Sequence, residues 1–166
     1  MKQLGRRSES WLDRMMDKKY RGQCVDSDKW VYGYFYREFP PIQCIVIDKD
    51  ESRKVETLDH FILFPGFADW NMPRPVMRAK VKPETVGEFI GVRDKNGNEI
   101  YEGMKVKAWS QGCCAEFTVT WRQEATPCWI LYPAYQNGDI WHIKASKEPD
   151  GLYYDRGIEI LSEVAK

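Results

Sequence analysis

The sequence predicts a mainly β protein that begins with a short helix and ends in a small β-barrel or sandwich. Short segments that alternate apolar and polar residues follow one another at even spacing, with glycine-containing turns between them. Aromatic residues make up 14% of the 166 residues, and β-sheets favour aromatic side chains. We expect a helical appendage over residues 1–19, an N-terminal β region over 20–82 and a C-terminal small barrel over 83–166.

The first segment has the pattern of a short amphipathic helix. Trp11, Leu12, Met15 and Met16 recur at the spacing of one helical face, and Ser10 is a candidate cap. A helix of about three turns is marginal by itself, so this one is expected to dock on an apolar surface. Both the sheet of its own chain and a second copy or partner are open as that surface.

A hairpin rich in aromatic residues is expected next. Its arms are Tyr20–Val25 and Lys29–Tyr36, and residues 26–28 form the turn between them. In the second arm, a tryptophan and three tyrosines alternate with residues that include Val31 and Phe35. Because both faces of this strand can be apolar, we expect it to be covered on both sides or to lie at an interface.

The segment from Leu58 to Arg78 follows a third expected strand, Ile42–Ile47, and has no regular period. Its apolar residues, Phe67 and Trp70 among them, are interrupted by prolines, so the pattern predicts a long apolar loop. Such a loop can cap the core or can face a partner, and capping is the more common outcome.

The stretch from Pro83 to Val106 carries the strongest local signal in the chain, because it reads as strand, tight turn, strand and a glycine corner. Asn96 and Gly97 suit a hairpin turn with two successive residues at positive φ. Gly103 then bends the chain into the next strand. We expect the two regions on either side to be arranged around this central hairpin.

The remainder of the chain shows regular strand patterns separated by turns. The expected strands are Met104–Trp109, Cys114–Trp121, Cys128–Tyr132, Ile140–Ala145 and Ile158–Leu161. This run of short strands is the basis for predicting a small barrel over residues 83–166.

Composition narrows the classes of function. The 25 basic and 25 acidic residues give a formal net charge of zero, so the chain gains little long-range attraction to nucleic acid or to an anionic membrane. No apolar run approaches the ~20 residues of a membrane helix, and the N-terminus lacks the apolar core of a secretory signal. We expect a cytoplasmic protein without membrane contact, in which the five cysteines are reduced.

Few residues offer reactive chemistry. Cys44 and His60 could pair as a nucleophile and its base, but nothing in their spacing demands it. Separately packed thiols are also a simpler interpretation than a structural zinc site. The ligands of such a site would be Cys113, Cys114, Cys128 and His142. We therefore assign no catalytic residue, no cofactor and no metal, and expect that the protein is not an enzyme.

Two blocks of the sequence resemble the YopX family, a group of phage- and prophage-associated proteins. The matching residues are Arg21-Gly22, Trp30–Tyr34, Glu84–Gly87, Gly91, Asp94–Gly97, Glu99-Ile100 and Glu102-Gly103. The resemblance implies that the C-terminal barrel is of the SH3-like kind and that the protein comes from a phage or prophage in a bacterial host. It implies no reaction.

Two functions are compatible with these features. We favour a protein-interaction or self-assembly module, a homo-oligomer with a possible phage or host protein partner, because aromatic residues and methionine are enriched at interface cores. Its candidate interface residues are Trp11, Met15, Trp30, Tyr32, Tyr34, Phe67 and Trp70. The alternative is a nucleic-acid-binding barrel, in which aromatic rings stack on bases and basic side chains hold phosphates. Its candidate contacts are Lys105, Lys107, Trp109, Arg122, Trp141 and Lys144.

Overall fold

The computed structural model describes residues 18–39, 58–67, 69, 72, 74–110, 113–124, 126–133 and 141–161. Within these ranges the chain is mainly β, which confirms the predicted class. The expected helix falls on residues 1–17 outside the described part, and so does the expected strand Ile42–Ile47. The candidate interface residues Trp11, Met15 and Trp70 also lie outside it.

Short strands joined by tight turns make up the described part of the chain. They are β1 (Tyr20–Gln23), β2 (Trp30–Glu38), β3 (Asp59–Pro65), β4 (Val76–Lys80), β5 (Gly87–Arg93), β6 (Glu99–Tyr101), β7 (Lys105–Ser110), β8 (Cys113–Arg122), β9 (Cys128–Tyr132), β10 (Trp141–His142), β11 (Ser146–Lys147), β12 (Tyr153–Tyr154) and β13 (Ile158–Ile160), with a 3₁₀ turn at Pro83–Thr85. The aromatic hairpin, the central hairpin and most of the C-terminal strands are therefore confirmed.

Among the described residues, the first sheet contains eight strands in the order β11-β12-β5-β1-β2-β3-β4, and β6 also pairs with β5. β1 reaches β5 through the opposed pairs Tyr20–Glu88 and Arg21–Gly87, so the sheet joins residues from both sides of the boundary expected near residue 82. Its pairings are antiparallel except for that of β12 with β5. We call β2, β3 and β4, at one end of this sheet, the wing.

The second sheet contains five strands in the order β10-β9-β8-β7-β13, all paired antiparallel. The SH3-like small barrel expected over residues 83–166 is not confirmed, because the strands of this part are divided between two open sheets. The physical reason is that β5 pairs with β1 and β12 and so belongs to the first sheet, whereas β7 begins the second one.

The hydrophobic core lies where the two sheets meet. β5 and β6 contribute Val92, Ile100 and Tyr101, and the second sheet contributes residues of β7, β8, β9 and β13. The second-sheet members of this cluster are Val106, Ala108, Phe117, Val119, Leu131 and Ile158. We call β5–β9 together with β13 the core region, since these strands share one continuous apolar cluster.

The turn of the central hairpin is organised by a buried carboxylate. Asp94 is fully buried, and its side chain accepts hydrogen bonds from the Asn96 and Asn98 amides at 2.9 and 2.8 Å. It also accepts one from the Ile160 amide of β13 at 3.2 Å. Gly97 has φ of +88°, but Asn96 does not have positive φ. The expectation of two successive positive φ values was therefore wrong, because the loop is a four-residue turn from Asp94 to Gly97, and only its last residue, the glycine, is left-handed.

Two strands of the wing, β3 and β4, occupy the two ends of the segment from Leu58 to Arg78, in which the sequence predicted a long apolar loop. β3 carries Phe61 and Ile62, which are adjacent in sequence and point to opposite faces, and both are buried. A strand buried on both faces reads as a continuous apolar run without the period of two. This is why the pattern of β3, and with it the pairing partner of β4, was missed.

Candidate interaction face

The strand β2 presents a row of exposed tyrosines. Tyr32, Tyr34 and Tyr36 keep 44%, 51% and 46% of their surface, and they alternate with less exposed residues that point to the other face. Alternate residues of a strand share one face, so the three rings lie in line along the strand. We call Tyr32, Tyr34 and Tyr36 the tyrosine face.

The neighbouring strand β3 supports this face from the side. Tyr34 is opposite Leu63 and Tyr36 is opposite the buried Phe61, and residues directly opposed in an antiparallel pair lie on the same face. Gly33 permits the close approach of the two strands, since a Cβ at this position would lie 2.0 Å from the Leu63 carbonyl oxygen. The face therefore rests on a tightly paired and partly buried base.

Charged side chains of both signs border the tyrosine face. The guanidinium of Arg78 lies 3.4 Å from the Glu38 carboxylate and 5.0 Å from the centroid of the Phe61 ring. Lys80 and Asp59 form a second ion pair at 2.7 Å. These pairs are exposed and add little to stability. Because each pair joins a basic and an acidic residue, the border has no net charge and can lie against a surface that carries the same mixture of charges.

The end of β2 nearest the core is closed. The Tyr32 ring contacts that of Tyr101 at 5.5 Å, and the Arg21 guanidinium lies 4.2 Å from the centroid of the Trp30 ring. Arg21 itself is only 2% exposed. Trp30, one of the candidate interface residues, is therefore half-buried beneath an arginine, while Tyr32 marks the boundary between the core and the open face.

The structure brings together part of the predicted interface. Tyr32 and Tyr34 share the tyrosine face with Tyr36, which sequence reasoning did not select although the alternation of β2 continues to it. Phe67 follows the end of β3 and is 89% exposed. Phe39, just beyond β2, is also exposed and was missed, because it falls after the last alternating position.

The candidate nucleic-acid contacts on β7 also share a face. Trp109 is exposed, and its ring has the ammonium groups of Lys95 and Lys107 at 4.6 and 5.5 Å from its centroid. Lys107, however, is flanked on the two neighbouring strands by Glu116 and Glu159. These acids reduce the positive potential that a phosphate backbone would need.

The other basic candidates are engaged in turns. Arg122 donates from Nη2 to the Thr126 carbonyl oxygen at 3.1 Å, within the loop that joins β8 to β9. Lys144 is exposed, and its backbone amide donates to Asp155 at 2.7 Å. Trp141 lies in the edge strand β10. Lys105, Lys107 and Trp109 on β7 therefore form a local group, separate from Arg122 and Lys144.

Clefts border the start of β5. One of about 560 Å³ is lined by residues that include Tyr20 and His60, and another of about 420 Å³ by residues that include Trp30 and Thr120. Glu102 lines both. Cys44 lies outside the described residues, so the possible Cys44–His60 pair remains a hypothesis.

An ionised carboxylate is held beside the core by a tyrosine and a lysine. Glu99 accepts from the Tyr101 hydroxyl at 2.7 Å and from Lys19 at 2.5 Å. Burial alone would raise the pKa of Glu99, but these hydrogen bonds and the positive charges of Lys19 and Arg93, whose Nη2 lies 3.1 Å from the carboxylate, together hold the pKa below its ordinary value. Burial, and then the bond to Glu99, raise the pKa of Tyr101. Glu99 therefore links Lys19, which precedes β1, to Tyr101 in the core.

Metal ligation finds limited support in the described part of the chain. Cys128 Sγ lies 4.0 Å from His142 Nδ1, so two of the four residues considered as ligands of a disfavoured zinc site are close together. No group of three or more histidine, cysteine or acidic residues there is placed to hold a metal ion. Among the same residues, no helix is long and apolar enough to cross a membrane.

Comparisons with known proteins find no match: no protein-family model, no curated protein and no solved structure matches the chain. The resemblance to the YopX family therefore stays a prediction that rests on the sequence motifs.

Proposed function

We propose that the protein acts by non-catalytic binding, and that it associates with a second copy of itself through the tyrosine face. The single observation that carries this proposal is the row formed by Tyr32, Tyr34 and Tyr36, each about half exposed on one face of a paired strand. Tyrosine presents a large apolar ring with a polar tip and loses little rotamer entropy, which is why it is enriched at interfaces.

The border of the face supports a second copy as the occupant. In a two-fold dimer the same patch is present on both sides, so the patch must be complementary to itself. The ion pairs Arg78–Glu38 and Lys80–Asp59 offer both signs of charge next to the rings. In a copy related by the two-fold rotation, the basic side chains of one molecule can pair with the acidic side chains of the other. The zero net charge of the chain adds no long-range repulsion between copies.

Sedimentation velocity over a hundredfold range of concentration tests this proposal. The wild-type protein should show a monomer–dimer equilibrium, because association depends on concentration by mass action. The double variant Tyr34→Lys, Tyr36→Lys should be monomeric across the range, since a two-fold interface would then bring four new positive charges together. Circular dichroism should show that this variant keeps its fold, as both side chains are exposed.

The matched control changes two exposed tyrosines outside the wing. Tyr132 and Tyr153 are 60% and 48% exposed, so Tyr132→Lys, Tyr153→Lys alters charge and aromatic surface to a similar degree. This control should dimerise like the wild-type protein. A wild-type protein that stays monomeric, or a control that dissociates as fully as the wing variant, would contradict the proposal.

Nucleic-acid binding is the second candidate function, and the contact of Trp109 with Lys95 and Lys107 is the observation that favours it. Fluorescence anisotropy of labelled single-stranded and duplex DNA at low salt is the test. Binding that is lost in Trp109→Ala and kept in Trp121→Ala would support this alternative, because the two tryptophans are 41% and 42% exposed on opposite faces of the sheet. Absence of binding by the wild-type protein would remove it.

The biological setting in this proposal rests on the sequence. The motifs that resemble the YopX family support an accessory protein of phage or prophage origin that works in the cytoplasm of a bacterial host. A phage or host protein could take the place of the second copy on the tyrosine face. Capture experiments with the wing variant as the negative control would then identify a partner that requires Tyr34 and Tyr36.

A further inference from the structure

A cysteine, an arginine and a histidine from three neighbouring strands meet on the outer face of the second sheet. Arg122 of β8 is opposite Cys128 of β9, and His142 of β10 is opposite Ile130, two residues further along β9. Opposed residues, and residues two apart in a strand, share one face. The registers of three strands therefore bring Arg122, Cys128 and His142 to the same side.

The contacts at the sulfur follow from this placement. Arg122 Nη2 lies 3.5 Å from Cys128 Sγ, and His142 Nδ1 lies 4.0 Å from it. The same Nη2 donates to the Thr126 carbonyl oxygen at 3.1 Å, which holds the guanidinium in position. Cys128 is a half-buried free thiol and His142 is exposed, so a small reagent can reach the sulfur from the histidine side.

We propose that Cys128 is a modification site that reacts with hydroperoxides. A thiol attacks as its thiolate, so its reaction is favoured by a fixed positive charge and by a group that can take the proton. The Arg122 guanidinium supplies the charge, and neutral His142 with its proton on Nε2 can accept the thiol proton at Nδ1. Arg122 and His142 thus act directly on the sulfur, and Cys128 is the group that changes covalently.

The reaction with hydrogen peroxide balances without any further reagent. The thiol proton passes to His142, and the sulfur attacks one peroxide oxygen. The S–O bond forms as the O–O bond breaks, and the departing hydroxide takes the proton from His142 to become water. The sulfur loses two electrons and becomes a sulfenic acid, and the peroxide is reduced by the same two electrons.

Peroxide treatment followed by dimedone trapping and peptide mass spectrometry gives a rate for each cysteine. Cys114 is the internal reference, because it is an exposed thiol on the same face of the sheet, opposite Trp109. Each native rate is divided by the rate of the same thiol in the chain unfolded in guanidinium chloride. After this correction, Cys128 should react at least about tenfold faster than Cys114.

Variants separate the chemical effects of Arg122 and His142 on the thiol from an effect on the fold. Arg122→Gln should lower the corrected rate of Cys128 towards that of Cys114, whereas Arg122→Lys should keep most of it by retaining the charge. His142→Asn, at an exposed position, should slow Cys128 several-fold without changing the melting temperature. A corrected rate for Cys128 no greater than that for Cys114 would overturn the proposal, and so would a rate unchanged in both Arg122→Gln and His142→Asn.

Discussion

The wing and the core region are built from the same kind of strand, but the core region encloses aromatic rings in an apolar cluster, whereas the wing leaves a row of tyrosines open. In the core region, Tyr101 and Phe117 are buried within one continuous apolar cluster. In the wing, Tyr34 and Tyr36 are about half exposed along β2. Both regions contain paired strands of similar length, so pairing alone does not decide whether an aromatic ring faces the interior.

This difference indicates that the second sheet determines which aromatic side chains of the first sheet remain exposed for binding. The second sheet covers β5 and β6, and the ring of Tyr101 on β6 is fully enclosed there. Tyr32 contacts Tyr101 at the boundary, and the next tyrosines along β2 are open. The core region should therefore control stability, whereas the wing should control binding.

The largest effect is expected at the buried carboxylate that ties the hairpin turn to β13. Asp94→Ala should lower the free energy of unfolding by at least about 3 kcal/mol, because it removes a buried carboxylate that accepts hydrogen bonds from the backbone amides of Asn96, Asn98 and Ile160. Urea denaturation followed by tryptophan fluorescence measures the change.

Asp150→Ala is the matched control for this prediction. Asp150 accepts from the Leu152 amide at 2.9 Å, in the same i to i+2 geometry that joins Asp94 to Asn96, but it is exposed. Its replacement should change stability far less than Asp94→Ala. Equal losses in the two variants would show that burial of the carboxylate is not the source of the effect.

A pair of glycine substitutions should separate the two regions. A Cβ on Gly87 would lie 2.4 Å from the Glu102 carbonyl oxygen, at the edge of the core region, and one on Gly33 would lie 2.0 Å from the Leu63 carbonyl oxygen in the wing. Gly87→Ala should lower the free energy of global unfolding by about 2 kcal/mol, since the backbone must shift to relieve the overlap.

Gly33→Ala meets a similar overlap but should act locally. Amide hydrogen exchange should accelerate in β2, β3 and β4 while the amides of β7 and β8 keep their protection, because local opening of the wing leaves the core cluster intact. Uniform acceleration across both sheets would mean that wing and core region unfold as one unit and would contradict the division of roles.

The smallest effect concerns acid and the Glu99 carboxylate at the edge of the core region. A group whose pKa is lowered by folding stabilises the protein above its unfolded pKa, and this contribution is lost as pH falls through the folded pKa. Glu99→Gln should therefore cost up to about 1 kcal/mol at neutral pH, and the difference from the wild-type protein should shrink as pH falls below about 4.5.

Denaturation curves at neutral pH and at several acidic values measure this convergence. Lys19→Met removes one of the three hydrogen-bond donors to Glu99 and should reduce the acid sensitivity only in part, because the Tyr101 hydroxyl and the Arg93 guanidinium remain. A difference between wild type and Glu99→Gln that is the same at every pH would exclude the linkage.

Sequence reasoning succeeded where the determining interactions are local. The hairpin of β5 and β6 was recognised because Gly97 and the residues before it specify a turn within a few residues. It failed for the sheet arrangement, because the pairing of β5 with β1 and β12 joins segments far apart in the chain. The two-residue strands β11 and β12 carry too few positions to show any alternation.

The interaction face could be predicted only in part for a related reason. Alternation along β2 placed Tyr32 and Tyr34 on one face, but both faces looked apolar, so the sequence could not show which of them stays open. Trp30 belongs to the same row of alternate residues, and its enclosure depends on Arg21 from the neighbouring strand. Such coverage is a property of the packed sheets and has no signature in the pattern of one strand.

The hydrogen bond between Asp94 and Ile160 spans 66 residues of chain, and this separation matters during synthesis. At about 5–20 residues per second, a ribosome needs between about 3 and 13 seconds to extend the chain from one partner to the other. β7 is made within this interval, and for the rest of it lacks the edge strand that β13 later supplies. A nascent chain that is cut short in this interval leaves unpaired the backbone groups at the edge of β7, which the finished protein covers with β13, and such an open edge can pair with another chain.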